Sequence, residues 1–185
     1  MLLANPFRPD PRVQKEAESL ASFGYQVSVI CWDRESEYTS EEVLPSGVRI
    51  IRIQDVPSKY GIGAGQMHKI PRFWCSAASI LAELNPNLIH CHDFDTLPAG
   101  LWWGKRRKIP VIYDAHEYYA ELTRPRLHGW KGGLIYQGIR ISEQICARLA
   151  DAERRRDEGI GGADDLIAGA DAQAGQRHVQ RAGAV

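Results

Sequence analysis

Two short apolar runs, LIHC at residues 88–91 and IPVIY at residues 109–113, constrain the fold of this chain more than any other feature. Each run stops abruptly in ionisable residues, which is typical of a buried strand that ends at a loop. Between them, Asp95 or Thr96 can cap a helix whose end coincides with the basic run at residues 105–108. A strand, a helix and a strand in this order predict a βαβ unit, whose two strands are parallel.

Both strands of this unit are followed by histidines and carboxylates. These residues are His92, Asp93 and Asp95 after the first strand, and Asp114, His116 and Glu117 after the second. The carboxyl ends of parallel strands meet at one edge of the sheet, so we expect the two clusters to face one crevice. Ligands of open α/β sheets bind in such a crevice.

The residue types in this crevice are compatible with three interpretations. In the first, His92 and His116 donate hydrogen bonds to a sugar or phosphate while the carboxylates bind hydroxyl groups. In the second the site holds a metal, with possible ligands His92, Asp93, Asp95, Asp114 and His116. In the third, the charges are solvated loop residues and helix caps, and His90 is hydrogen-bonded in the core. The two clusters together favour a functional site, and the metal interpretation is the weaker functional one because His90, which shares a strand face with His92, lies within the apolar run.

The rest of the first 150 residues alternates strands and helices. Predicted elements are a short strand at 1–4, a helix at 12–23, strands at 25–32 and 48–53, and helices at 67–84 and 130–150. Asp10 is expected to cap the first helix, which ends at Gly24. This order predicts an α/β fold, a Rossmann-like parallel sheet with helices on both faces.

Three further segments are predicted from composition and spacing. The segment 33–47 is charged and is expected to be irregular, and the glycine-rich segment 55–65 predicts a flexible loop rather than a phosphate cradle because its spacing misses the dinucleotide fingerprint. Helix 130–150 has an apolar face formed by Ile135, Ile139, Ile145 and Leu149.

Overall composition excludes several classes of protein. The chain has 185 residues, 44% of them hydrophobic, with 23 basic and 23 acidic residues and a net charge of zero, so nothing points to nucleic acid. Four cysteines without CxxC spacing are expected to be free thiols, with Cys31 and Cys91 buried in strands. No apolar run approaches the roughly 20 residues that a membrane span needs. We therefore expect a soluble, cytoplasmic protein.

Residues 151–185 differ from the rest of the chain. They include no aromatic residue and five large aliphatic ones, and they contain the run Arg154-Arg155-Arg156. Such a segment can bury little apolar surface to offset its ordering entropy. We therefore predict a folded domain at residues 1–150 and a poorly ordered tail at residues 151–185, with the three arginines exposed.

Three segments resemble the N-terminal domain of family 4 glycosyltransferases, which have the two-domain GT-B architecture. They are DPRVQKEAESLASFGYQVSVICWDR from Asp10, NLIHCHDFDTLPAG from Asn87 and IPVIYDAHEYYAE from Ile109. The resemblance implies that this half binds a sugar or lipid-linked acceptor, while a C-terminal domain binds the nucleotide-sugar. It also implies a retaining reaction that needs neither a metal nor a cofactor, and it is compatible with peripheral contact with a membrane.

The resemblance also implies roles for individual residues. His92 matches the histidine that faces the donor sugar and the reaction centre, which makes it the candidate catalytic residue. Asp10 and Arg12 match the loop after the first strand, and His116 and Glu117 match the loop after the fifth. The glycine pair frequent in the first of these loops is replaced here by Arg8-Pro9-Asp10-Pro11.

The end of the chain departs further from that family. Its members continue through a second Rossmann-like domain, so the chain is expected to be truncated before the donor domain and inactive alone. A reading-frame slip would account for both the arginine run and the end of the chain. The alternative functions are a non-catalytic module that binds a glycan or a phosphate through the same crevice, and a fragment of an enzyme with no role of its own.

Overall fold

Seven strands form one sheet in the computed structural model, which describes residues 1–8, 10–59, 68–116 and 118–155. The strands are β1 (Leu2–Leu3), β2 (Ser28–Trp32), β3 (Glu41–Val43), β4 (Arg49–Ile53), β5 (Ile89–His92), β6 (Val111–Ala115) and β7 (Ala152–Arg155). Their order across the sheet is β3-β4-β2-β1-β5-β6-β7. All neighbouring strands are parallel except β3, which is antiparallel to β4. The predicted α/β, Rossmann-like sheet is confirmed.

Five α-helices in the described part of the chain connect or follow the strands. They are α1 (Pro11–Ser22), α2 (Ile70–Leu84), α3 (Leu97–Arg107), α4 (Tyr119–Thr123) and α5 (Gly129–Leu149), with a short 3-10 helix at Arg124–Arg126. Within the described residues, none of these helices is both long and apolar enough to cross a membrane.

The helices cover both faces of the sheet. On one face, α2 and α3 pack their buried residues against alternate strand residues that include Ile30, Ile89 and Val111. On the other face, Val13 and Ala17 of α1 pack against the intervening residues of β1, β2 and β4. A strand points successive side chains to opposite faces, so the strands of this doubly covered sheet are apolar on both sides along much of their length.

The start of helix α1 was predicted correctly because its sequence contains typical capping residues. Asp10 is its N-cap and accepts a hydrogen bond from the Val13 amide at 3.2 Å, and Pro11 occupies the first helical position. Both features match the preferences of helix N-termini, so this prediction is confirmed. For α3 the predicted position is confirmed, since Thr96 is its N-cap, but the Thr96 side chain makes no capping hydrogen bond. The Thr96 hydroxyl instead donates to the carbonyl groups of His92 and Asp93.

Two other predictions are corrected by tertiary contacts. The segment 33–47 is not wholly irregular, because Glu41–Val43 pairs with β4 as an antiparallel edge strand. In α5, the predicted apolar face is not buried among the described residues, since Ile135, Ile145 and Leu149 are 42–52% exposed. The buried residues of α5 are Gly132, Glu143 and Ala147.

The sheet extends beyond the predicted boundary at residue 150. Residues Ala152–Arg155 pair with β6 as a parallel edge strand, so the sheet includes the first residues of the segment predicted to be a poorly ordered tail. An edge strand is bonded along one side only, which makes a polar sequence tolerable there. The predictions for residues 156–185 and for the glycine-rich loop at residues 60–67 lie outside the described residues.

All four cysteines are free thiols, as predicted. Cys31 and Cys91 are buried, and burial raises the pKa of each thiol to about 12. The close approach of α3 to β5 depends on Gly100, where an added Cβ would overlap with the Sγ of Cys91.

Candidate functional site at the carboxyl edge of the sheet

Strands β5 and β6 bring the two predicted clusters together. His92 pairs with Asp114 in the parallel register, so both side chains lie on the same face of the sheet at its carboxyl edge. The following residues, Asp93 and His116, continue from the strand ends. We refer to His92, Asp93, Asp114 and His116 as the edge cluster.

The side chains of the edge cluster contact one another directly. His92 Nδ1 lies 3.3 Å from His116 Nε2, which is within hydrogen-bonding distance. The Asp114 carboxylate lies 3.8 Å from His92 Nδ1 and 3.7 Å from His116 Nδ1. Asp93 accepts a hydrogen bond from the His116 amide at 3.2 Å, so the loop after β5 is tied to the loop after β6.

The turn after β5 has an unusual backbone conformation, and it helps to hold the edge cluster in place. Asp93 has a φ of 64°, in the left-handed region that aspartate tolerates better than most residues. Its amide donates to the Asp114 carbonyl at 3.0 Å. The Thr96 hydroxyl lies 2.8 Å from the His92 carbonyl and 3.1 Å from the Asp93 carbonyl, which ties the turn to the start of α3.

Burial controls the protonation of the edge cluster. The pKa of His92 is held well below its usual value, first by burial and then by the positive charges of His90 and His116. His92 is therefore neutral near pH 7, with one protonated and one unprotonated ring nitrogen. Burial also raises the pKa of Asp93, although the charge of His116 opposes the effect.

Asp95 lies next to the edge cluster and has the most unusual environment of the predicted carboxylates. Burial, followed by the negative charge of Asp93, raises the pKa of Asp95 to about 7. Its Oδ1 atom is buried without a hydrogen-bond partner among the described residues. The positive charge of Arg34 acts in the opposite direction. Asp95 can therefore hold a proton near neutral pH and donate it to a ligand oxygen.

The two predicted residues of the first loop have different environments: Asp10 is hydrogen-bonded within the loop, and Arg12 is exposed. The two carboxylate oxygens of Asp10 accept hydrogen bonds from the Val13 amide and from Asn5 Nδ2, so they stabilise the loop. Arg12 is exposed. Its charge helps to lower the pKa of His92 and opposes the rise in the pKa of Asp93. A surface cavity of about 320 Å³ lies beside this loop and is lined by Phe7, Arg8, Asp10, Pro11 and Gln14.

The structure thus brings four of the predicted residues into mutual contact and places Asp95 and Arg12 within electrostatic range of them. Glu117 lies outside the described residues. Sequence analysis missed the participation of Glu16 in α1, whose Oε1 lies 3.7 Å from His90 Nδ1. The HxH spacing places His90 and His92 on one face of the strand, because residues two apart in a strand share a face, but it gives no sign that Glu16 packs against them.

One group of side chains in the described residues has the composition of a cation site. Glu16, His90, His92 and Asp114 each place one ligand atom within 4.8 Å of those of the other three. Two of these residues, His92 and Asp114, also belong to the edge cluster.

Comparison with known proteins identifies the fold independently. The family of glycosyl transferase 4-like domains matches residues 9–153. Sucrose-phosphate synthase from Thermosynechococcus elongatus is similar in one structure over 97% of both chains (TM-score 0.56, 18% identity). In another structure of it, the similarity covers 84% of this chain and 46% of that chain (TM-score 0.57, 16% identity).

A third similar structure is MurG from Acinetobacter baumannii, at 15% identity over 89% of this chain and 43% of that chain, with a TM-score of 0.47. No curated protein sequence matches the chain. The chain spans about half the length of the larger synthase chain and of MurG.

Proposed function

Because the chain belongs to the glycosyl transferase 4-like family, we propose that it forms the acceptor-side half of a retaining, nucleotide-sugar-dependent glycosyltransferase. The observation that supports this most is the edge cluster, in which His92, Asp114 and His116 meet at the carboxyl edge of a parallel sheet. Substrates of open α/β sheets bind at that edge. The co-substrate is a nucleotide-sugar, and the acceptor is a sugar or a lipid-linked sugar.

His92 is the proposed catalytic residue, beside the transferred sugar. Since His92 is 2% exposed, its influence on a bound sugar passes through its 3.3 Å contact with the less buried His116. A neutral imidazole in this position can donate one hydrogen bond and accept another, so His92 can orient the ring of His116 towards a sugar hydroxyl group without adding charge.

The remaining predicted residues bind substrate hydroxyl groups in this proposal. They are Asp93, Asp95, Asp114, His116 and Glu117 along the edge. On the α1 loop, Asp10 instead holds the loop in position through its hydrogen bonds to Asn5 and Val13, and Arg12 is the residue available to the substrate. Carboxylates accept hydrogen bonds from sugar hydroxyls, and Arg12 supplies a positive charge for an anionic group on the acceptor.

The proposal requires a C-terminal donor domain as a partner. In a closed two-domain cleft, holding donor and acceptor together can lower the barrier by roughly 7–11 kcal/mol. A single half leaves the nucleotide-sugar unanchored and exposed to water, so the 185-residue chain is expected to be inactive alone.

A transfer assay with a panel of nucleotide-sugars tests this proposal. It compares the chain alone, the chain completed with a donor domain by fusion or in trans, and the completed His92→Ala variant. Activity is expected only after completion, and His92→Ala should lower kcat more than it raises KM because it acts on the transition state. His68→Ala, which removes an exposed histidine, is the control and should retain activity. Robust transfer by the chain alone would contradict the proposed position of the donor site.

Helix α5 supports a further part of the proposal, peripheral contact with an anionic membrane. Its exposed hydrophobic residues include Trp130, Leu134, Ile141 and Ile145, which recur at helical spacing. The same helix carries exposed Lys131, Arg140 and Arg148, and its single acidic residue is buried. An apolar stripe flanked by cations suits an interfacial helix. Flotation with phosphatidylglycerol vesicles, but not with phosphatidylcholine vesicles, is the expected result, and Trp130→Ser should weaken it.

A further inference from the structure

Four side chains from three elements meet on the face of the sheet that α1 covers. His90 and His92 come from β5, Asp114 from β6 and Glu16 from α1, and we call them the inner cluster. His90, His92 and Asp114 are 2–7% exposed, and Glu16 closes the cluster from the helix. The alternation of β5 explains the location, since Ile89 and Cys91 point into the apolar core on the opposite face.

The distances within the inner cluster differ from those of direct hydrogen bonds. His90 Nδ1 lies 3.7 Å from Glu16 Oε1, and His92 Nδ1 lies 3.8 Å from Asp114 Oδ2. A hydrogen bond between such atoms would be about 2.7–3.2 Å long. Two ligands of one tetrahedral zinc ion, each about 2.0–2.1 Å from the metal, lie about 3.3 Å apart. The four ligand atoms, all within 4.8 Å of one another, therefore need only small side-chain movements to share an ion.

The chemistry of the inner cluster also favours a divalent cation. Two carboxylates and two imidazoles are common zinc ligands, and a bound Zn²⁺ would neutralise the charge of Glu16 and Asp114. His92 Nε2 is buried and has no hydrogen-bond partner among the described residues, so the ring has bonding capacity beyond its contact with His116.

We propose that the inner cluster binds one Zn²⁺ ion, with Glu16, His90, His92 and Asp114 as its ligands. The ion joins helix α1 to strands β5 and β6, so its role is structural. It fixes the ring of His92 and the position of α1, whose first turn carries Arg12. This site does not depend on the proposed sugar transfer, and its test needs no donor domain.

The test uses the tag-free 185-residue chain after treatment with EDTA and gel filtration. Isothermal titration with Zn²⁺ alone should show one ion per chain, and the melting temperature should rise with Zn²⁺ because the ion binds the folded state only. Co²⁺, used as a spectroscopic substitute, should give the visible absorption of a four-coordinate nitrogen and oxygen site.

Matched variants on the same helix distinguish the site from other metal binding. Glu16→Gln should weaken Zn²⁺ binding by at least about tenfold, as expected when a metal site loses a supporting group. Glu18→Gln removes a carboxylate whose hydrogen bond is to Gln14 of the same helix, and it should leave the affinity unchanged. His90→Gln should weaken binding as Glu16→Gln does, and circular dichroism of the metal-free proteins checks that each variant is folded.

Two results would overturn the proposal. One is the absence of stoichiometric Zn²⁺ binding by the folded, metal-free chain. The other is equal affinity of the Glu16→Gln and Glu18→Gln variants, which would place any bound ion elsewhere. Sugar transfer by the completed enzyme is a separate measurement, so failure of this site and failure of the proposed function remain distinguishable.

Discussion

Strands β5 and β6 have two faces with opposite chemistry. Towards α2 and α3 they present Ile89, Cys91 and Val111, which belong to a continuous apolar core. Towards α1 they present His90, His92 and Asp114, all of them buried as well. The same eight or so residues of backbone therefore carry a core on one side and a cluster of titratable groups on the other, with a period of two.

The apolar face contributes stability, and the polar face contributes the titratable groups. Burying apolar side chains stabilises the fold by roughly 25 cal/mol per Å², whereas burying histidines and carboxylates costs free energy unless they are paired or bind a ligand. The polar face is therefore the part of the sheet that folding alone does not explain. Substitutions on the two faces should differ in size and in their dependence on pH.

The largest expected effect is on the apolar face. Ile89 is 1% exposed and packs in the main core, so Ile89→Ala should lower the free energy of unfolding by about 2–5 kcal/mol through lost burial and a residual cavity. Urea denaturation followed by circular dichroism measures this change. Ile145→Ala is the matched control because Ile145 is 52% exposed, and its change should stay within about 0.5 kcal/mol. Similar losses for the two variants would refute the assignment of β5 to the core.

An intermediate effect is expected for Glu143, whose carboxylate is bonded to Tyr113 of the apolar face. Glu143 is buried and accepts hydrogen bonds from the Tyr113 hydroxyl at 3.2 Å and from the amides of Tyr119 and Ala120 at 3.1 and 3.2 Å. Glu143→Gln replaces one carboxylate oxygen with an NH₂ group that faces another hydrogen-bond donor. The substitution should therefore lower the free energy of unfolding by about 1.5–3 kcal/mol. Amide exchange should also accelerate at Tyr119 and Ala120.

The control for this prediction is a second glutamate near α4. Glu121 is exposed and its carboxylate contacts Tyr136, so Glu121→Gln should leave the free energy of unfolding nearly unchanged. Unchanged amide exchange in Glu143→Gln would mean that Glu143 does not hold the start of α4.

The apolar face was the more predictable of the two. Alternating and continuous apolar runs, together with Asp10 and Pro11 at a helix start, carry their information locally. The meeting of His92 with Asp114 and His116 could also be predicted, because parallel strands have a common carboxyl edge. These features depend on neighbours in sequence or on one rule of topology.

The features that could not be predicted depend on contacts between residues that are far apart in the sequence. Glu16 reads as an ordinary polar position of α1, and only packing of that helix on β5 brings it to His90. Strand β7 depends on pairing with β6 at the sheet edge, and its sequence has no apolar run that would predict it. The start of α4 likewise depends on a tertiary contact, since the Glu143 carboxylate that accepts from its first amides comes from another helix.

The smallest effect is expected at the polar edge, and it depends on pH. Asp95 has a pKa of about 7 in the folded chain, against about 3.9 in an unfolded one. Between these values the folded state binds a proton that the unfolded state does not, so this group lowers the stability as the pH rises from about 4 to about 7. Asp95→Asn removes the charge, and it should raise the free energy of unfolding by about 1–2 kcal/mol at pH 8 and leave it nearly unchanged at pH 4.

The sign of this effect distinguishes Asp95 from its neighbour His92. The depressed pKa of His92 gives a contribution that is present above about pH 6.5 and is lost as the pH falls, because the unfolded chain then binds the proton. Taking the difference between Asp95→Asn and the parent chain at each pH cancels the His92 contribution. Urea denaturation at pH 4, 6 and 8 in EDTA measures that difference. Asp55→Asn, whose exposed carboxylate accepts a hydrogen bond from the Ser76 hydroxyl, is the control and should give no such trend. A stabilisation by Asp95→Asn that is larger at pH 4 than at pH 8 would show that Asp95 is charged and compensated in the fold, and the polar edge would then resemble the satisfied carboxylate of Glu143.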